Sequence, residues 1–150
     1  MMQWIALLKD YVDYAILGSL GVMAFIAVWL TIERLIYYWR INIHDFNDVY
    51  TLDRQLTQHL TTLSTIGANA PYVGLLGTVV GILITFYDIG EAGGQIVVGQ
   101  IMIGLALALK ATAVGILVAI PTIMAYNGLL RRVEVKKSEW LSQFSTPRGN

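Results

Sequence analysis

Residues 70–87 read APYVGLLGTVVGILITFY, eighteen positions without a charge. A helix rises about 1.5 Å per residue, and about 20 apolar residues are needed to cross the roughly 30 Å of hydrocarbon in a bilayer. The stretch is therefore predicted to be a transmembrane helix, and two further windows share its character. Residues 15–32 carry no charge, and with their flank they predict a span over 15–36. Residues 92–130 hold Lys110 as their single charge, which predicts a span over 97–126 whose helix continues into water across 131–139. The fold class expected is an all-α membrane protein of one domain, 1–150. Its three transmembrane helices carry helical cytoplasmic extensions, a segment over 37–69 and a tail over 127–150.

Composition agrees with that solvent. The chain is 56% hydrophobic and 13% charged, far more apolar than a soluble domain. Ten basic and ten acidic residues cancel, so no overall field attracts nucleic acid or acidic substrates. With no cysteine there is no disulfide, thiolate nucleophile, zinc–cysteine site or iron–sulfur cluster. His44 and His59 are the only histidines and fall outside the spans, so neither a metal site nor a cofactor is expected. Phosphate-binding glycine loops and nucleophile elbows are missing, and the chain does not read as an enzyme. Lys9, Asp10 and Asp13 precede the first apolar run with no small-residue cleavage site, so that run is expected to remain in the mature protein.

Between the first two spans Leu52, Leu56, Leu60 and Leu63 recur at helical spacing, with Arg54, Gln55 and Gln58 between them. This predicts an amphipathic helix, broken or bent at Pro71. The tail over 145–150 reads as frayed. Basic residues flanking spans stay on the cytoplasmic side. Arg34, Arg40 and Arg54 lie between spans one and two, and Arg131, Arg132, Lys136, Lys137 and Arg148 follow span three, whereas residues 88–99 have none. The N-terminus is thus expected outside and the C-terminus inside. Trp4, Tyr11, Tyr14, Phe86 and Tyr87 would mark the outer interface, and Tyr37, Tyr38, Trp39, Tyr72 and Tyr126 the inner one.

Small residues recur at helical spacing in two spans: Gly74, Gly77 and Gly81 in one, and Gly104, Ala108, Ala111, Gly115 and Ala119 in the other. Such stripes let helix backbones approach closely in lipid, within one chain or between copies. Thr78 and Thr112 fall near the middles of helices that a short loop makes antiparallel, so they could share a depth. Each hydroxyl could bond a carbonyl of its own helix, or the two could line a polar pore. Lys110 is costly near the centre of a bilayer. It could snorkel, but its position about 20 Å from the end of its helix makes that reach difficult. The other readings are a subunit interface, a partner carboxylate or a wet cavity. Apart from Glu33, beside Arg34 at the inner end of span one, no Asp, Glu or His falls within the spans. A proton device built on this chain would need its proton carrier from another chain.

Two stretches carry a family resemblance: APYVGLLGTVVGI over 70–82, and ALKATAVG over 108–115 with Ala119-Ile120-Pro121 and Tyr126-Asn127 beyond it. Together with the three-span pattern they resemble the ExbB/TolQ/MotA group of proton-driven motor subunits, most closely its ExbB branch. The resemblance implies a multi-pass protein of the bacterial inner membrane. It implies a homopentamer whose second and third spans surround the transmembrane helices of an ExbD-like dimer, with Thr78 and Thr112 lining the pore. Proton flow through a partner aspartate would energise a TonB-like protein and, through it, outer-membrane uptake of iron-siderophores or cobalamin. Many members carry a glutamate where this chain has Leu107. Here the nearest charge is Lys110, expected to act on a carboxylate of the partner, while Pro121 and the small residues are expected to pack helices. A TolQ-like role in envelope constriction, a self-contained ion channel and a purely structural scaffold are the alternatives.

Overall fold

The computed structural model describes residues 2–95 and 97–145, and every described element is helical. Helix α1 is Met2–Arg40, a single 3-10 turn covers Ile43–Asp45, and α2 is Val49–Leu56. Helix α3 is Leu60–Glu91 and α4 is Val98–Ser145. Helices α1, α3 and α4 are each long and apolar enough to cross a membrane. At 39, 32 and 48 residues they would measure about 58, 48 and 72 Å, so all three outrun the hydrocarbon. The frayed end expected over 145–150, and Arg148 with it, lies outside the described residues apart from Ser145.

Helices α3 and α4 form an antiparallel hairpin, and α1 lies against both. The hairpin turn follows from glycine chemistry. Gly93 and Gly94 take φ values of 74° and 75°, which side chains with a Cβ rarely adopt, and the Gly94 amide bonds back to the Ile89 carbonyl at 3.1 Å.

The expected break at Pro71 does not occur. Helix α3 runs through Pro71 without interruption, and the break lies at residues 57–59, where His59 adopts a left-handed φ of 68°. A proline removes one backbone bond, but Ala70 and Gly67 beside it are buried against the neighbouring helices, and packing of this kind holds proline-containing membrane helices together. The four leucines consequently belong to two helices, Leu52 and Leu56 to α2 and Leu60 and Leu63 to α3, yet all enter one core.

That core is the larger of two. It joins the leucines to Tyr38, Leu129, Val133 and Trp140 at the end away from the hairpin turn. The other, among the apolar spans, holds little more than Leu20, Ala70 and Ala119. Only 11% of the apolar window of α1 and 22% of those of α3 and α4 is buried. Phe25, Trp29, Leu83 and Leu117 stand exposed, as expected of helices whose solvent is lipid or further copies. At the water-side end Arg34 is buried, donates to the Gln55 carbonyl at 2.8 Å and pairs with Glu33 at 2.5 Å. Tyr38 donates to the Leu56 carbonyl at 2.6 Å. Both side chains thus satisfy carbonyls that the C-terminal end of α2 leaves open. Trp140 Nε1 donates to the Phe46 carbonyl at 3.0 Å, and Lys137 meets Asp53 at 3.0 Å, tying α4 to the same segment.

Candidate functional site

The seam between α3 and α4 is built by residues that lack bulk. A Cβ added at Gly74 would lie 2.5 Å from the Ala111 carbonyl oxygen and 3.1 Å from the Cα atoms of Gly115 and Thr112. One at Gly115 would lie 2.7 Å from the Ala70 carbonyl oxygen and 3.0 Å from the Gly74 Cα. Gly81 meets Ala108 in the same way, and Gly77 meets Ala111 and also Ile16 of α1. At Gly74 and Gly115 the two backbones touch with no side chain between them, and at Gly77 and Gly81 the methyl groups of Ala111 and Ala108 fill the gap between α3 and α4. Gly104, nearer the turn, packs on Thr85, and Ala119 lies in the smaller core. Pro121 stands apart from the seam, exposed on an apolar cleft between α1 and α4.

This closeness gives Thr78 and Thr112 their chemistry. Thr78 is buried and Thr112 half-buried, and their hydroxyls form a short hydrogen bond to each other. Thr78 Oγ1 also lies 2.8 Å from the carbonyl oxygen of Ala108, which can only accept. Each hydroxyl carries one proton, so Thr78 donates to Ala108 and Thr112 donates to Thr78. The Gly74 carbonyl, at 3.4 and 3.5 Å, is at the limit for either hydroxyl. Other threonines behave differently. Thr85 donates to Gly81 of its own helix at 2.9 Å and Thr122 to Val118 at 2.7 Å. For Thr78 the own-helix bond expected of a lone threonine is the weaker contact, at 3.4 Å to Gly74, and the shorter one reaches Ala108 of α4.

The result is a hydrogen-bonded chain running from half-exposed Thr112 through Thr78 into α4. Such a chain can reorient and pass polarity across the seam, but it supplies no group that ionises near neutral pH. Among the described residues no three of His, Cys, Asp and Glu gather as a metal site.

The structure does not bring Lys110 into the seam. It is exposed on another face of α4, beside a small cleft of about 50 Å³ that Asp13 of α1 also lines. The sequence reading left Asp13 ahead of the first span, but α1 is already helical there. The signal was available, because Asp13, Ile16 and Leu20 sit at i, i+3 and i+7 on one helix face. Also missed were buried Thr85 and Thr122 and the capping role of Arg34. Beside the turn, Lys9, Thr85, Asp88, Gln95 and Gln100 join apolar side chains in lining a cleft of about 250 Å³.

Comparison with known proteins places this architecture in a class and then in a family. Residues 46–141, which hold the whole seam, match the MotA/TolQ/ExbB proton channel family, a class of membrane transport proteins and not of enzymes. Over 130 residues the chain is 53% identical to the biopolymer transport protein ExbB of Helicobacter pylori strain J99, covering 87% of this chain and 89% of that protein. Over 133 residues it is 47% identical to ExbB of Aquifex aeolicus, covering 89% of each. The Tol-Pal system protein TolQ of Pseudomonas aeruginosa is 40% identical over 83 residues, 55% of this chain and 36% of that protein. The chain belongs to the MotA/TolQ/ExbB proton channel family.

Proposed function

We propose that the chain is an ExbB-type energising subunit of the bacterial inner membrane, driven by the proton motive force. In this reading its N-terminus lies outside and its C-terminus inside. Five copies surround an ExbD-like dimer, and the assembly energises a TonB-like protein for outer-membrane uptake of iron-siderophores or cobalamin. The observation that carries the reading is the hydroxyl chain from Thr112 through Thr78 to the Ala108 carbonyl, set in a seam with no carboxylate of its own. Thr112 can accept from a protonated partner carboxyl as it stands, and it can donate to an ionised one once its proton turns away from Thr78, so the pair can serve either state of a partner's acid. Each proton crossing supplies about 2.3 kcal/mol per 100 mV, available to move the partner against the ring. Gly74, Gly77, Gly81, Gly104, Ala108 and Gly115 would hold the lining helices in register, with Pro121 packing on a neighbouring helix.

The test is uptake of an iron-siderophore in cells whose own subunit is replaced by this chain together with its partner. Thr78→Val and Thr112→Val keep shape and remove the hydroxyl, and each is expected to abolish uptake, while the serine variants retain it. Full uptake in the double valine variant refutes the proposal. The TolQ match supports a second reading, a subunit of envelope-constriction machinery. That reading expects the chain to restore division and outer-membrane integrity instead of uptake. A self-contained channel would conduct protons when reconstituted without any partner.

A further inference from the structure

Lys110 and Asp13 are opposite charges on two helices apolar enough to cross a membrane, and they line one cleft with Ile16, Leu17, Leu107 and Ala111. The level of the pair can be counted. Lys9 of α1, Asp88 of α3 and Gly104 of α4 line one cleft beside the turn, which sets a common level at that end of the bundle. Lys110 follows Gly104 by six residues and Asp13 follows Lys9 by four, so they lie about 9 and 6 Å deeper along their helices. Both helices run away from that end, so side chains on each lean back toward it. The flexible four-carbon stem of Lys110 therefore climbs toward the level of Asp13.

We infer that Asp13 is the counter-charge of Lys110, an ion pair within one chain that joins α1 to α4 and allows a lysine to stand in an apolar span. The two groups face the same cleft without touching, and the gap holds about one or two waters or closes on rotation of the lysine. Both side chains are exposed on the isolated chain, and where these helices enter lipid the low dielectric around them strengthens attraction between the charges. Asp13 acts through Lys110 and is a positioning residue, with no part in proton transfer. The pairing assigns Lys110 an anchor inside its own subunit in place of a carboxylate on a partner. It depends on membrane insertion alone and stands or falls separately from the hydroxyl seam.

A double-mutant comparison tests it in the full assembly, reading membrane-resident yield and siderophore uptake. Asp13→Asn strands the lysine and should lower yield by about seventyfold to a few hundredfold, the insertion cost of an unpaired lysine expressed as a ratio. Lys110→Met should be milder, because it removes the charge that lies deeper along its helix. The double variant should match Lys110→Met alone, and exchanging the charges, Asp13→Lys with Lys110→Asp, should recover most of the yield. Losses that multiply in the double variant, or an exchange no better than Asp13→Asn, overturn the pair. The chain contains no cysteine. Asp13→Cys with Lys110→Cys, treated with a short bifunctional thiol reagent, should therefore bridge within one chain, giving a monomer heavier by one spacer with no free thiol left. A cross-linked dimer, or no bridge at all, also overturns it.

Discussion

Replacing Gly74 with alanine should do more damage than any other single methyl group added to a glycine of this chain. The new Cβ would lie 2.5 Å from the Ala111 carbonyl oxygen. An ordinary carbon–oxygen contact is about 3.3–3.6 Å, so α3 and α4 must part locally by about 0.8–1.1 Å. The hydrogen bond from Thr78 to the Ala108 carbonyl, now 2.8 Å, then lengthens past the roughly 3.5 Å at which it ceases to count. Overpacking costs about 1–3 kcal/mol, and a hydrogen bond between membrane helices adds about 0.6 kcal/mol. Together these reach about 1.5–3.5 kcal/mol, about tenfold to a few hundredfold in the folding equilibrium. Unfolding in mixed micelles at rising SDS fraction, followed by far-UV circular dichroism, measures it. Gly128→Ala is the control, because nothing lies within 4 Å of that position and alanine favours helix by about 1 kcal/mol. If Gly74→Ala unfolds at the same SDS fraction as Gly128→Ala, the closeness of the seam is wrong and so is the chemistry built on it.

Arg34→Met should free the carbonyl of Gln55 and strand Glu33, costing about 1.5–3 kcal/mol for a charged hydrogen bond. Limited proteolysis should then cut the 41–59 segment faster, and Arg34→Lys should rescue it poorly because a lysine lacks the planar fork. His59→Gly should raise the thermal midpoint, since His59 holds a left-handed backbone that costs an L residue about 1–2 kcal/mol. An unchanged or lower midpoint in that variant would show the bend is held by something other than backbone strain.

Several features were legible along the chain. Length and apolarity identify the three long helices α1, α3 and α4, because crossing lipid is a demand that each segment meets by itself. The leucines at 52, 56, 60 and 63 announce their shared core for the same reason, since a buried face repeats at the helical period. The break was misplaced because proline is the strongest local breaker in sequence. A packed membrane helix absorbs Pro71, while the turn at His59 arises from the need to bring two short leucine faces into one core.

What the sequence alone determined is the solvent of this protein and the helices that match it, properties that add residue by residue along one segment. What only the tertiary structure decided is who meets whom: Thr112 with Thr78, Thr78 with Ala108, Arg34 with the end of α2, and which charges, Asp13 and Lys110, line one cleft. Between helices in lipid no hydrophobic force selects a rotation, and side-chain fit does. Fit depends on the depth and azimuth of two segments at once, a relation that no single stretch of sequence contains.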